Sequence, residues 1–328
     1  MNSIELKKIS VLITGAGGYI GHLLLDALAE EREGFEVIVA VDVRDIPAEE
    51  RKPNIQYLTA DVRSPEILKI FKKYRVDIVV HLASIVTPGK GAGREFLYSV
   101  DVLGTDNVIT ACLNTGVKKL IVTSSGAAYG YYADNPEWIT ETDALRGNPE
   151  FAYSDHKRLV EENLARYRKE HPELKQLIFR PGTILGPAAD NQITALFRKP
   201  FVIGLKGAVT PFVFIWDHDV VRCLIKGIKE DTTGIFNMAG DGYLKMSEIA
   251  SILGKPYLPL PVWLVKSALW ILSKLKLSRY GPEQVNFIRY RPVLSNLRLK
   301  EAFGYTPAKT TREVFEFYLK EGPIAGKG

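Results

Sequence analysis

Residues 11–21 read Val11-Leu12-Ile13-Thr14-Gly15-Ala16-Gly17-Gly18-Tyr19-Ile20-Gly21. The short apolar run of Ile9, Val11, Leu12 and Ile13 predicts a buried strand, and Tyr19 to Glu31 predicts a helix with Ile20, Leu23, Leu24, Ala27 and Leu28 on one face. Strand, glycine turn and helix form the context that a dinucleotide site requires. Gly15 permits a tight turn, Gly18 lets the backbone approach a pyrophosphate, and Gly21 lets the helix pack close to the strand. The pyrophosphate is expected on the helix N-terminus, where N–H groups and the dipole favour an anion.

The three-residue spacing of Gly15, Gly18 and Gly21 differs from the commonest dinucleotide fingerprint. With its Thr-Gly-Ala-Gly-Gly-Tyr-Ile-Gly wording it resembles the extended short-chain dehydrogenase/reductases, the NAD-dependent epimerase/dehydratase family that includes UDP-glucose 4-epimerase. The resemblance implies a doubly wound parallel (Rossmann) sheet with a smaller C-terminal substrate lobe, and it places Tyr19 and Ile20 at the cofactor beside the glycines.

Further along, Phe35 to Val43 predicts a second strand with Asp42 near its C-terminal end. A carboxylate there accepts both hydroxyls of an adenosine ribose and repels a 2′-phosphate, so NAD is favoured over NADP. Arg44, two residues on, partly offsets that repulsion. A third strand, Ile55 to Thr59, leads to Asp61 and Val62. The resemblance brings these two to the adenine ring, whereas on the residues alone Asp61 equally caps the helix expected around Pro65 to Tyr74. A fourth strand, Asp77 to His81, runs into Leu82, Ala83 and Ser84, a small-residue turn that the family places under the cofactor. His81 is read as a satisfied strand-end histidine. A glycine-rich loop, Pro88 to Gly93, and a long helix from Arg94 to Thr115 follow. That helix carries Asp101-Val102-Leu103-Gly104-Thr105-Asp106-Asn107, similar to the family's Asn-Val-x-Gly-Thr-x-Asn but with aspartate in the first place.

Chemistry enters with the fifth strand, Lys119 to Ser124, which ends in Ser124-Ser125-Gly126-Ala127-Ala128-Tyr129-Gly130, and with Tyr153-Ser154-Asp155-His156-Lys157 opening the next helix. Tyrosine and lysine at i and i+4 share a helical face. A free tyrosine, with pKa about 10, is a poor base near neutrality. A nearby ammonium and a bound nicotinamide favour the phenolate. Lys157 is further expected to hold the nicotinamide ribose, and Ser125 to hydrogen-bond the substrate oxygen. The three form a set that takes a proton from an alcohol as hydride leaves its carbon. Tyr129 is read as pocket wall and His156 as structural. A sixth strand, Leu174 to Phe179, runs into Arg180-Pro181-Gly182-Thr183-Ile184-Leu185-Gly186-Pro187, similar to the family's Arg-x-x-x-x-Tyr-Gly-Pro, in which Pro181 borders the nicotinamide. Thr183 stands where sugar-nucleotide epimerases usually carry the asparagine that helps hold the substrate diphosphate. The family's later Arg-x-Gly-Asp is also missing, leaving Arg289, Arg291 or Arg298 as substitutes, since arginine suits phosphate.

The remaining pattern predicts a strand over Val209 to Ile215, a helix from Trp216-Asp217-His218-Asp219-Val220 to Lys229, a strand over Gly234 to Ala239 and a helix over Ser247 to Leu253. Pro259 to Tyr280 stands apart. Trp263, Leu264, Ala268, Ile271, Leu272 and Leu275 form one helical stripe, widened by Leu269 and Trp270, with Lys266, Lys274, Lys276 and Arg279 opposite. Too short and too charged to span a bilayer, it reads first as a core helix of the substrate lobe, otherwise as a membrane-surface element or the lining of a hydrophobic pocket.

The whole chain of 328 residues, 46% hydrophobic and 25% charged, suits a large globular enzyme, with residues 1–180 and a later stretch of about 209–240 forming the NAD-binding domain and 181–328 mainly the substrate lobe. A net charge of +5 from dispersed basic residues does not point to nucleic acid. Cys112 and Cys223 lie in apolar helical patterns and read as core residues of a reducing compartment; no metal site is expected. The short first apolar run is no signal peptide, and a cytoplasmic location follows as the expectation. The resemblance implies a homodimer through the helices around Arg94 to Thr115 and Phe151 to Glu170, with a small-molecule substrate. Three functions compete: a redox-neutral epimerase or dehydratase of a nucleotide sugar that recycles its NAD, a dehydrogenase or ketoreductase of a lipophilic, hydroxysteroid-like alcohol or ketone, and a non-catalytic dinucleotide sensor or scaffold, against which the intact Ser125, Tyr153 and Lys157 argue.

Overall fold

The computed structural model describes residues 8–31, 33–89, 91–275, 277 and 281–322. In chain order the elements are β1 (Ile9–Thr14), α1 (Tyr19–Glu30), β2 (Phe35–Asp42), β3 (Ile55–Thr59), α2 (Glu66–Tyr74), β4 (Ile78–His81), α3 (Arg94–Tyr98), α4 (Gly104–Thr115) and β5 (Lys119–Thr123). Next come α5 (Ala152–Glu170), β6 (Lys175–Pro181), β7 (Thr183–Leu185), α6 (Gln192–Phe197), β8 (Val202–Leu205), β9 (Pro211–Phe212), β10 (Phe214–Trp216), α7 (Asp217–Lys229) and β11 (Gly234–Met238). The chain continues through β12 (Leu244–Lys245), α8 (Met246–Ile252), β13 (Tyr257–Leu260), α9 (Val262–Lys274), α10 (Gln284–Arg289), α11 (Leu297–Glu301) and α12 (Thr311–Glu321).

Seven strands form the main sheet in the order β11-β6-β5-β4-β1-β2-β3, and the pairs from β3 through β6 are parallel. This is the expected doubly wound Rossmann sheet. Strand order reverses between β1 and β4, which makes their carboxyl ends the topological switch point where such sheets bind ligands. The hydrophobic alternation explains the layering. Leu12, Val39, Val79 and Leu120, one from each central strand, are fully buried in one cluster with Ile67 and Phe71 of α2, Val108 and Cys112 of α4, and Val160 and Leu164 of α5.

Two compact units divide the described residues. The first draws on Met1–Ser125, His156–Arg180 and His218–Phe236, the second on Gly126–Asp155, Pro181–Asp217 and Asn237–Gly328. Segment 126–155 belongs to the second unit because Tyr129 and Ile139 are buried in one cluster with Val213, Ala239, Val293 and Leu294. A bridge between Ile139 and Leu294 and the hydrogen bond from the Ile139 amide to the Val293 carbonyl, 2.7 Å, pin it there. Phe197, Phe212, Phe214 and Phe315 form a second ring-on-ring core in that unit.

Three sequence expectations are corrected. The strand read over Val209 to Ile215 is broken into β9 and β10, with Thr210 in the left-handed region at φ 51°. The helix read over Arg94 to Thr115 is interrupted by a π-helical turn at Ser99–Leu103. The helix read over Pro259 to Tyr280 is α9, and it has no buried residue, so it is not a core helix. Its apolar stripe was indistinguishable from a core stripe in the sequence. Lys276, Arg279 and Tyr280 of that reading lie outside the described residues. Both cysteines are buried and unpaired. Among the described residues no helix is long and apolar enough to cross a membrane.

Candidate active site

The first unit brings two turns together at the switch point. Thr14 at the end of β1 is in register with His81 at the end of β4, and the Leu82 amide donates to the Thr14 carbonyl at 3.1 Å. Gly15 has φ 70°, and a Cβ there would lie 2.6 Å from the Ala83 nitrogen. A Cβ on Gly21 would come within 2.3 Å of the Gly15 carbonyl oxygen, so these two glycines allow turn, strand and helix to close on one another. At Gly18 the only neighbour within 4 Å of an added Cβ is that same oxygen, at 3.1 Å. The first turn of α1, holding Tyr19 and Ile20, carries no acidic side chain to offset the positive end of its dipole.

Asp42 ends β2 almost fully buried. Its carboxylate accepts the Gly17 and Arg44 amides, each at 3.0 Å, which uses two of roughly four lone-pair positions. The Arg44 guanidinium folds back, donating to the Gly17 carbonyl at 3.1 Å with Nε 3.6 Å from Asp42. An adenosine ribose therefore fits this carboxylate, and the glycine turn has the shape a pyrophosphate needs.

Asp61 does not cap α2. Its carboxylate takes the Arg63 amide at 2.9 Å and the Arg63 guanidinium at 2.6 Å, and those bonds hold it below the usual carboxylate range. The Asp101-to-Asn107 motif clamps this turn from the other side. Asn107 Nδ2 donates to the carbonyls of Val62 and Ser64, 2.7 and 3.0 Å away, and Gly104 leaves room for Val62, whose Cγ2 would sit 2.7 Å from a Cβ.

His81 is a satisfied core histidine. Nδ1 lies 2.7 Å from the Thr14 hydroxyl and Nε2 3.0 Å from the Thr105 hydroxyl. Burial, aided by the Lys157 charge, pushes its pKa down to about 3.

Asp101 lies in the π-helical turn, buried, and accepts the Ser84 hydroxyl and the Ile85 amide, both at 2.9 Å. It thereby holds the turn after β4 to the helix. Oδ2 faces His156 Nδ1 at 3.6 Å, beyond hydrogen-bonding distance. Burial opposes ionisation of Asp101, but His156, Lys157 and the two donors together keep its pKa below the ordinary value. Lys157 is likewise buried and donates to the Thr123 carbonyl at 3.2 Å; burial lowers its pKa against the opposing pull of Asp101 and Glu161.

Pattern reading missed Glu161. It lies four residues beyond Lys157 on α5 and forms a buried pair with Arg180, with contacts of 2.8, 3.0 and 2.5 Å. Its Oε1 also accepts the Ser124 hydroxyl at 2.5 Å. One carboxylate thus joins α5 to the ends of β5 and β6 and fixes the backbone from which Ser125 and Lys157 project. A carboxylate continuing the Tyr153–Lys157 spacing along a buried helical face was the available signal.

Of the remaining predicted residues, Ser125 closes the first unit's first segment, nearly buried. Tyr153 and Pro181 belong to the second unit. Tyr153 is half-buried, its ring 6.1 Å from that of Phe151, and Ser154 beside it donates to the Ala127 carbonyl at 2.7 Å. α5 runs unbroken from Tyr153 to Lys157, so the two occupy successive turns of one helix. Tyr129 is buried with its hydroxyl on Asn237, 2.8 Å away. Also in the second unit, Arg291 Nη2 donates to Thr183 Oγ1 at 3.1 Å, and its guanidinium stands 4.3 Å from the Phe212 ring centre.

A Rossmann sheet with a glycine turn at its switch point and a buried carboxylate at the end of β2 defines a dinucleotide-binding enzyme. The model of the NAD dependent epimerase/dehydratase family matches residues 11–239, and the chain belongs to that family. It is 25% identical over 318 residues to an uncharacterized protein of Mycobacterium tuberculosis, covering 94% of this chain and 83% of that one. A UDP-glucose 4-epimerase of Yersinia enterocolitica is 31% identical over 178 residues, half of each chain. Among solved structures, UDP-glucose 4-epimerase of Thermotoga maritima, with UDP-glucose, superposes with a TM-score of 0.73 at 20% identity, over 95% of this chain and 98% of that one.

Proposed function

We propose that the chain epimerises or dehydrates a nucleotide-diphosphate sugar on one retained NAD, with no net change of redox state. The substrate class rests on Arg291. This guanidinium is half-buried between Thr183 and Phe212, and burial pushes its pKa down. A partly desolvated cation of this kind is stabilised by an anionic ligand, and the planar guanidinium fork matches phosphate. It is anchored on Thr183, the position at which the family's sugar-nucleotide epimerases carry a diphosphate-holding asparagine. On this reading Thr183 and Arg291 together replace that asparagine and the missing Arg-x-Gly-Asp arginine.

The glycine turn receives the pyrophosphate of NAD and Asp42 the adenosine ribose. Arg44, tied back to Gly17 and Asp42, leaves the preference with NAD over NADP. NAD, when bound, supplies reversible hydride transfer. Tyr153 takes the proton of the substrate hydroxyl and later returns it, Lys157 holds the nicotinamide ribose and favours the phenolate, and Ser125 hydrogen-bonds the reacting oxygen. Asp101 and Glu161 act one step back, Asp101 by holding Ser84 and Glu161 by tying α5 to Ser124 and Arg180.

The same reading makes the protein a homodimer through the helices around residues 94–115 and 151–170. Phe96, Tyr98 and Leu103 lie exposed along the first of these.

Arg291→Ala should raise KM for the nucleotide sugar by roughly 10- to 100-fold, the value of a lost charged hydrogen bond, while the NAD content stays that of wild type. An unchanged KM, with lipophilic alcohols oxidised at the expense of added NAD, would overturn the substrate assignment in favour of the dehydrogenase.

A further inference from the structure

α9 is inverted with respect to an ordinary surface helix. Its half-buried apolar positions, Val262, Val265 and Leu269, recur at i, i+3 and i+7 and mark the stripe turned inward, with half-buried Lys266 at its edge, one turn before Trp270. On the outward side Trp263 is 69% exposed, Trp270 54%, Ile271 50% and Leu275 61%, with Leu264 and Leu272 beside them and Leu277 just beyond the helix. Trp263 and Trp270, like Leu264 and Ile271, are seven residues apart and so stack along one outer face.

The apolar exposure continues into the strands that carry the helix. β13 runs directly into α9 and pairs in parallel with β8, where Leu258 sits in register with Ile203 and both are exposed. Phe201, immediately before β8, is exposed as well. An outward patch of this extent marks an interaction face.

Charge identifies what it faces. The chain as a whole is nearly balanced, with 43 basic and 38 acidic residues. Between Glu248 and Glu283, however, there is no acidic residue, whereas Lys255, Lys266, Lys274, Lys276 and Arg279 fall there. Between Asp190 and Asp217, the stretch containing β8, there is again none, and Arg198, Lys199 and Lys206 are present. Arg198 is paired with Asp190, whereas the Lys274 ammonium stands 6.0 Å from the Trp270 ring centre. A second copy of the chain docking face to face here would set these cations against themselves. An anionic bilayer surface complements both the apolar residues and the charge. At 13 residues, about 20 Å, the helix is far shorter than a bilayer core is thick, so it lies along the surface.

We propose that α9, with the β8–β13 edge, is a peripheral docking face for anionic lipid, with Trp263, Trp270, Ile271 and Leu275 in the headgroup region and Lys274 and Lys266 against lipid phosphates. Such placement suits tryptophan, whose amphipathic ring favours the interface.

The full chain is sedimented with vesicles of phosphatidylcholine alone and of phosphatidylcholine with phosphatidylglycerol, while tryptophan emission is recorded. The expected result is binding to the phosphatidylglycerol vesicles with a blue shift, weakening as salt rises. Lys266→Glu with Lys274→Glu should reduce that affinity by about fivefold or more per lysine. Trp263→Ser with Trp270→Ser should abolish binding, and both variants should keep the wild-type thermal midpoint because the residues replaced are not core. Three results would overturn the proposal: no sedimentation with either vesicle, binding indifferent to all four substitutions, or a wild-type dimer that the tryptophan variants dissociate without any lipid binding. The last would assign the face to a second copy of the chain.

Discussion

At the scale of single residues, the proposed chemistry turns on one proton, that of the Tyr153 phenol. Tyr153→Phe removes only the phenolic oxygen, so turnover should fall by about 10²- to 10⁴-fold while NAD stays bound, as read by rate and by cofactor released on denaturation. Wild-type turnover in that variant would remove Tyr153 from the proposed mechanism. His81 makes a prediction of the opposite kind, about stability alone. Its imidazole is buried neutral between Thr14 and Thr105, with a folded pKa of about 3 against about 6.5 unfolded. The unfolded chain therefore binds the proton first, and stability falls as pH drops from about 6.5 towards 3, by several kcal/mol in all. Urea midpoints of wild type and His81→Gln should converge over that window, and a constant gap would contradict the assignment. The turn at Gly15 and the helix carrying Tyr153 and Lys157 were legible because both are set by near neighbours in the chain. The Arg291–Thr183 hydrogen bond, which sets Arg291 apart from Arg289 and Arg298, was not legible because its partners are 108 residues apart in the chain.

At the scale of elements, the first unit is held at its chemistry by α5. Glu161 receives Ser124 from the end of β5 and Arg180 from β6 in a buried network. Removing one partner leaves a buried charge uncompensated, so Arg180→Ala should destabilise the fold by about 3–5 kcal/mol by denaturant titration. Replacement of both Glu161 and Arg180 by apolar residues should cost less than Arg180→Ala alone, since no unpaired charge then remains. A double variant worse than the single one would mean the pair is more than a structural tie. The π-helical turn at Ser99–Leu103 places Asp101 where it binds both Ser84 and Ile85. Helical periodicity across 94–115 gave the element but not this local change of winding, which depends on a partner in another part of the chain. α9 failed in the other direction. Its apolar stripe satisfied the pattern of a buried helix, and only the fold shows that the stripe points outward.

At the scale of the molecule, alternating strands and helices made the Rossmann sheet readable end to end, because each strand is a short apolar run between turn signals. The assignment of 126–155 to the second unit was not readable, since it rests on Ile139 meeting Leu294 across almost half the chain. The proposed homodimer carries its own test. Leu103→Glu places a charge on the exposed face of the 94–103 helix and should shift the sedimentation coefficient from dimer to monomer, and a wild-type monomer would refute that arrangement. The central claim is that this member of the NAD dependent epimerase/dehydratase family recycles its hydride on a nucleotide-diphosphate sugar. The most direct measurement incubates the purified protein with a panel of such sugars, without added cofactor, and follows sugar configuration by NMR and reduced nicotinamide by absorbance. The account predicts an altered sugar with no accumulating reduced nicotinamide. Conversion that requires added NAD and yields one reduced nicotinamide per product would contradict it.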